Sequence, residues 1–474
     1  MAPSENKSDP LNLNIQRSMV ALSVLGSVLV LIWLLKYSAY GIDFTDEGFY
    51  LVWISNPFIY SGSITQFGFI YHPLYSLLGG DISAIRQANI LITFTLAWCL
   101  VNAFLASLVP EIKEGRFTLL VASAGLAISA LTLFDSWLPT PNYNSLNLQA
   151  LLVSATGMVL SEKKPHRKSI IGWILIGVGG WLTFMAKPST ALALALGTLF
   201  YLLFSRKFSV RMLFLALATA TTLLLVSAFA IDGSVLQFLK RLQLGMEFSK
   251  YLGGGHTPAQ ILRIDNFHLD KRAKTALIIT FGAVFIALWS TSTRSKKISI
   301  AGLLISLSLL ILTASLTLGQ VQRAAGFGQF QGLLVFALVY AAIATGLLLG
   351  KFKALESIPA PQWAIAALFM GMPHIYAFGT NRNYWQTGSS AAIFWLLAGV
   401  VVLGPLIRER ASWLLLLPLT FATQAVTATL LQTGIEQPQR QPQPLRLLNS
   451  THKCNAHPCM HFVRRLPAQA LARA

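Results

Sequence analysis

Two adjoining stretches decide the fold: Val20-Ala-Leu-Ser-Val-Leu-Gly-Ser-Val-Leu-Val-Leu-Ile-Trp-Leu-Leu35 and Gly41-Ile-Asp-Phe-Thr-Asp-Glu-Gly-Phe-Tyr50. The first is apolar for close to the ~20 residues a helix needs to cross the hydrocarbon core of a bilayer. The second places Asp43, Asp46 and Glu47 within five positions, in a chain where only 11% of residues are charged. Acids are costly near lipid and are kept there for a reason. The sequence therefore reads as a chain that leaves a bilayer and at once presents carboxylates.

The pattern of the first stretch recurs along the 474 residues. Hydrophobic residues make up 54% and mean hydropathy is +0.61, which excludes a soluble globular domain. The first apolar run lacks an Ala-x-Ala exit, so it reads as a span and not as a removable signal. The fold class expected is all-α: a polytopic membrane protein with about thirteen transmembrane helices. They fall at about 18–35, 87–109, 117–134, 143–160, 169–185, 189–204, 212–230, 275–290, 298–317, 331–349, 362–378, 389–406 and 413–430.

A net charge of +19 suggests nucleic-acid binding until its location is considered. Loops on the side of the N-terminus carry sixteen basic residues, among them Lys113, Lys163, Lys164, Arg167, Lys168, Arg206, Lys207 and Arg211. The opposite short loops, with the first long one, carry four: Arg86, Lys187, Arg323 and Arg382. Basic residues gather in cytoplasmic loops, so residues 1–17 are expected in the cytoplasm and the acidic stretch outside it. The expected location is the plasma (inner) membrane, with the C-terminus extracytoplasmic and no nucleic-acid partner.

Two outer loops are long, at 36–86 and 231–274. The first holds helical patches from Thr45 to Ser55 and around Tyr71-His-Pro-Leu-Tyr75, whose interleaved aromatic residues suit a membrane interface. The second holds Val235–Leu244, with Lys240 and Arg241 expected together on its polar side, and then Gly253-Gly254-Gly255-His256. The domain 18–430 is followed by a tail, 431–474, which opens with prolines and glutamines and reads as poorly structured. Its His452, Cys454, His457, Cys459 and His461 do not have the paired spacing of a zinc knuckle. Cys99 lies inside a span as a small apolar side chain.

No phosphate-binding glycine loop, nucleophile elbow or His-Glu-x-x-His helix occurs. The expected span interiors hold essentially no ionisable residue, with His374 the nearest exception and read as a packed core histidine. The remaining charge sits at the outer surface in two signs. The carboxylates Asp43, Asp46 and Glu47 share that surface with the cations Arg86, Lys187, Arg323 and Arg382. Such a pairing suits a site that binds an anionic lipid head group while a carboxylate takes a proton.

Asp46-Glu47 with aromatic neighbours after the first span, then His72-Pro73-Leu74-Tyr75, then Arg86 before the second span, resembles the first outer loop of the GT-C glycosyltransferases. Within that superfamily the pattern is most similar to the protein mannosyltransferases and the bacterial aminoarabinose transferase acting on lipid A. The likeness implies a polyprenyl-phosphate sugar donor, a lipid, glycan or protein acceptor, and inversion at the anomeric carbon. It implies Asp46 as the catalytic acid, with Glu47 beside it. Many relatives carry a second acid near the fourth span, where this chain reads Pro139-Thr-Pro-Asn-Tyr-Asn-Ser145. Asn142 and Asn144 cannot act as bases, so a divalent metal has no support in the sequence.

The chemistry fits that implication. An inverting displacement needs one general base, and a phosphate leaving group needs cations in place of an acid. The expectation is a glycosyltransferase with Asp46 as base, tuned by Glu47 or Asp43, and with the four cations as candidate donor phosphate ligands. The rivals are a lipid or polysaccharide transporter, which would need a hydrophilic path through the spans, and an inactive assembly subunit, which leaves the acid cluster unexplained.

Overall fold

The structure, a computed structural model, describes residues 10–40, 46–112, 115–251, 269–292, 296–321, 331–350, 353–380 and 384–436. Asp43, Arg323, Arg382, the Gly253–His256 segment and the His/Cys-rich tail lie outside the described residues. The described chain is helical throughout. In order it forms α1 (Pro10–Tyr37), α2 (Asp46–Ser55), α3 (Phe67–Leu77), α4 (Ile82–Leu108), α5 (Arg116–Ala127), a 3₁₀ segment (Ile128–Phe134), α6 (Tyr143–Leu160), α7 (Arg167–Ala186), α8 (Pro188–Phe204) and α9 (Val210–Asp232). Then come α10 (Val235–Tyr251), α11 (Lys271–Ser292), α12 (Lys296–Thr317), α13 (Val335–Leu349), α14 (Lys353–Glu356), α15 (Ala360–Ala377), α16 (Tyr384–Gly388), α17 (Ile393–Val401), α18 (Gly404–Arg410) and α19 (Leu417–Glu436).

Among the described residues, nine helical segments are long and apolar enough to cross a membrane. They coincide with nine of the thirteen expected spans. The other four fall on helices that are shorter, more polar or broken. The first half of α6 carries Asn144, Asn147 and Gln149; α8 has 17 residues; α15 carries Gln362, Pro373 and His374. The segment expected at 389–406 divides into a 3₁₀ turn, α17 and the start of α18, where Pro405 sits in the first turn.

Small residues set the helix spacing. A Cβ on Gly157 would lie 2.6 Å from Gly172 O, and one on Gly177 would lie 2.4 Å from Ala216 O. Backbones this close are how membrane helices gain packing energy where lipid tails are as apolar as leucine. The first helix is joined to the last described one by polar contacts. Ser23 Oγ lies 2.9 Å from Thr420 Oγ1, and Gln424 Nε2 donates to Ser23 O (2.8 Å) and to Ser27 Oγ (2.9 Å). Gly26 leaves room for that amide, since a Cβ there would lie 2.1 Å from Gln424 Oε1.

At one end of the bundle a second apolar cluster forms around Tyr50, Trp53, Phe67, Tyr71, Leu146, Met185 and Phe238. It seats α2 and α3 on the ends of α6, α7 and α9. α10 closes over them. Lys240 and Arg241 do not share its polar side: Arg241 is buried, holds Asp232 through Nε (2.8 Å) and Nη2 (2.7 Å), and donates to Tyr60 O. Neighbouring helix residues point about 100° apart, so one of two adjacent cations can turn inward if a carboxylate meets it there. The Arg241 carbonyl also accepts from Ser63 N (3.1 Å), which fastens α10 to the segment between α2 and α3.

Candidate functional site

α2 begins at Asp46 and Glu47, and carboxylates are favoured in a first helical turn, where backbone N–H groups lack partners within the helix. The two acids diverge. Asp46 is exposed, whereas Glu47 is 1% exposed. Tyr50 and Trp53, on later turns of α2, lock the helix by edge-to-face contacts with Phe67 at 5.6 and 5.1 Å.

Glu47 meets Arg86, in the first turn and a half of α4. Arg86 Nε donates to Glu47 Oε1 (2.9 Å), and Nη2 lies 2.7 Å from the same oxygen. The guanidinium also donates through Nε to Thr140 Oγ1 (3.1 Å) and through Nη1 to the carbonyls of Ser38 (2.9 Å) and Tyr40 (3.3 Å). The Thr140 hydroxyl in turn donates to Glu47 Oε1. This knot joins the end of α1, the start of α2, the start of α4 and the segment before α6. A buried carboxylate and guanidinium hold together best where further hydrogen bonds support them, as Thr140 and the two carbonyls do here.

The segment 139–145 is rigid for local reasons. Prolines on both sides of Thr140 fix the backbone. Asn142 then caps α6: its Oδ1 accepts from Asn144 N (2.8 Å) and Ser145 N (3.1 Å), while Ser145 Oγ accepts from Asn142 N (2.8 Å). In place of a second acid, the chain supplies a helix cap and a hydroxyl aimed at Glu47.

Lys187 sits between α7 and α8, with Pro188 as the first residue of α8. Its Nζ is closed off from solvent and lies 5.1 Å from the centroid of the Tyr143 ring and 5.4 Å from that of Tyr376. Tyr143 lies 5.9 Å from Tyr50. A run of rings therefore connects the Lys187 ammonium to the helix that begins at Asp46. Asn147, one turn into α6, donates to Tyr376 O (3.2 Å) and holds α15 against this place. His374 packs among Tyr384, Trp385 and Trp395, at 5.7, 5.4 and 6.3 Å.

Of the residues that stand out in the sequence, Asp46, Glu47, Arg86 and Lys187 thus occupy one end of the bundle. Thr140, Tyr143 and Tyr376 join them without having stood out, and the Pro-Thr-Pro sequence was the signal for the first. Among the described residues, no three His, Cys, Asp or Glu side chains come together in a way that could hold a metal ion. Comparison of the chain with family models, with curated proteins and with solved structures gives no match in any of the three.

Proposed function

We propose that the protein is a polytopic membrane glycosyltransferase that moves a monosaccharide from a polyprenyl-phosphate carrier to an acceptor hydroxyl on the extracytoplasmic face. In this reading all thirteen apolar segments cross the membrane, and the N-terminus is cytoplasmic. The observation that carries the proposal is the division of charge at one end of the bundle. Glu47 is neutralised by Arg86 inside the protein, while Asp46, its neighbour in the chain, is exposed on a helix held rigid by that pair. A fixed, exposed carboxylate beside a buried ion pair suits a general base.

Asp46 takes the proton of the acceptor hydroxyl as its oxygen attacks the anomeric carbon. The bond from that carbon to the phosphate oxygen breaks, and the carrier phosphate leaves as an anion. Lys187, Arg323 and Arg382 are the candidate cations for that phosphate, the last two outside the described residues. Arg86 is assigned the seating of α2, since its guanidinium is already engaged with Glu47, Thr140 and two carbonyls.

A transporter would need a hydrophilic route through the helices. The buried amides of α4 and α6, Asn89 and Gln149, are instead hydrogen-bonded to one another. The test compares envelope glycans and lipids by mass spectrometry in cells lacking the protein, in cells with the native chain and in cells with Asp46→Asn. The expected result is loss of one sugar modification in the first and third, with lipid-linked sugar translocation intact. A well-expressed Asp46→Asn chain that transfers sugar normally overturns the assignment. Removal of a general base slows such a step by about 10²–10⁴-fold.

A further inference from the structure

We infer that Gln149 is a positioning residue, which ties the outer-loop helix α3 to the segment that seats Glu47. Its catalytic consequence rests on the proposed transfer reaction; its structural consequence does not.

The link is a continuous set of hydrogen bonds between side chains no more than 4% exposed. Tyr71, on α3, donates its hydroxyl to Gln149 Oε1 (2.8 Å). The Gln149 amide donates to Asn89 Oδ1 (2.8 Å) and to Thr93 Oγ1 (2.9 Å), both on α4. Asn89 Nδ2 then donates to Pro139 O (2.9 Å), and Thr93 Oγ1 donates to Asn89 O (2.8 Å). The chain of bonds ends on the carbonyl immediately before Thr140. From the other side, Asn142 Nδ2 donates to Thr140 O (2.9 Å). With both carbonyls gripped and a proline on either side, the Thr140 hydroxyl has one place to go, and that place is Glu47 Oε1.

Gln149 is the member of this set that meets both ends. Its oxygen serves α3 and its nitrogen serves α4. A buried amide whose donors and acceptor are all used specifies a single arrangement, because any displacement strands a polar group away from water. Only a residue with donor and acceptor on one short planar group can do this at one position. Movement of α3 is thereby coupled, through Gln149 and Asn89, to the position of Thr140 and so to the seat of α2.

The test uses the full chain in lipid nanodiscs, with Gln149→Leu and Tyr71→Phe followed by hydrogen exchange and mass spectrometry. Gln149→Leu is expected to raise exchange about threefold to tenfold, the worth of one net hydrogen bond, in α2 from Tyr50 onward, in Asn142–Leu146 and in α3. Tyr71→Phe cuts the bond to Gln149 and the longer one to Ser145 Oγ (3.5 Å), and is expected to loosen α3 while leaving exchange in α2 unchanged. Exchange in the remote helix Val335–Leu349 should not move. Unchanged exchange in α2, or an equal rise in Val335–Leu349, overturns the inference. In the transfer assay Gln149→Leu should lower kcat with the KM for the donor unchanged. Should the native chain transfer no sugar, the proposed function fails, and the exchange pattern still decides the coupling.

Discussion

Arg86 Nη2 lies 2.7 Å from Glu47 Oε1, and the two side chains belong to helices whose residues are 39 apart in sequence. Both are shut away from solvent. The segment between α1 and α4 is thus anchored by a charge pair inside the protein. Breaking the pair by Arg86→Met should destabilise the chain by about 3–5 kcal/mol, because a buried carboxylate is left without its counter-charge. The double substitution Glu47→Leu with Arg86→Met should recover a large part of that loss. Thermal unfolding of the four chains in one detergent checks it, and simple addition of the two single effects would contradict the pairing.

Lys187 presents a different case, a cation between the rings of Tyr143 and Tyr376. Lys187→Met should weaken binding of a polyprenyl phosphate by about tenfold or more, the loss of one hydrogen bond to a charged group. Tyr376→Phe keeps the aromatic face and should leave affinity near that of the native chain. Equal affinity of the Met variant, measured by fluorescence titration, removes Lys187 from the site.

Gly177 and Gly180 lie three residues apart on α7 and should respond oppositely to alanine. A Cβ on Gly177 would lie 2.4 Å from the carbonyl of Ala216, which is backbone and cannot swing aside, whereas nothing lies within 4 Å of one on Gly180. Gly177→Ala should destabilise by about 1–3 kcal/mol through separation of α7 from α9. Gly180→Ala should be neutral or stabilise by up to about 1 kcal/mol, since alanine is the better helix former. Comparison of unfolding midpoints decides between this and a uniform glycine effect.

Lys207, in the turn between α8 and α9, donates to the last carbonyls of α6, Met158 and Val159, at 3.2 Å each. Burial depresses its ammonium from the ordinary lysine value of 10.5 to about 8, with Glu162 pulling weakly the other way. Between those values the unfolded chain binds more protons than the folded one, so this residue makes stability rise with pH from about 8 to 10.5. Below that window both states hold the proton and the cost of burying the charge is fully present. Melting temperatures recorded from pH 7.5 to 10.5 should climb less for Lys207→Met than for the native chain, and parallel curves would refute the shift.

The helices were legible because an apolar run of membrane length has no cheaper place than a bilayer, and nine of the expected spans fall on helices of that kind. The roles of adjacent residues were not. Asp46 and Glu47 are equivalent as letters, and only the packing of α2 sends one inward. Arg86 reads as an anion ligand until Glu47 is brought to it, and Arg241 as part of a polar helix face until Asp232 meets it. Thr140 was hidden for another reason. A hydroxyl carries no charge and does not stand out from its neighbours in the chain. The amides of Asn89, Asn147, Gln149 and Gln424 are hidden in the same way, although all four are buried within the helices.

The contact of Ser23 with Thr420 spans 397 residues of chain. At ordinary rates of synthesis, about 5–20 residues per second, the ribosome needs about 20–80 s to make that distance. Throughout that interval α1 sits in the bilayer with its hydroxyls and the notch at Gly26 turned toward a helix not yet made. Sealing of the bundle is therefore a late event in biogenesis. A nascent chain arrested before α19 keeps that polar seam without its partner.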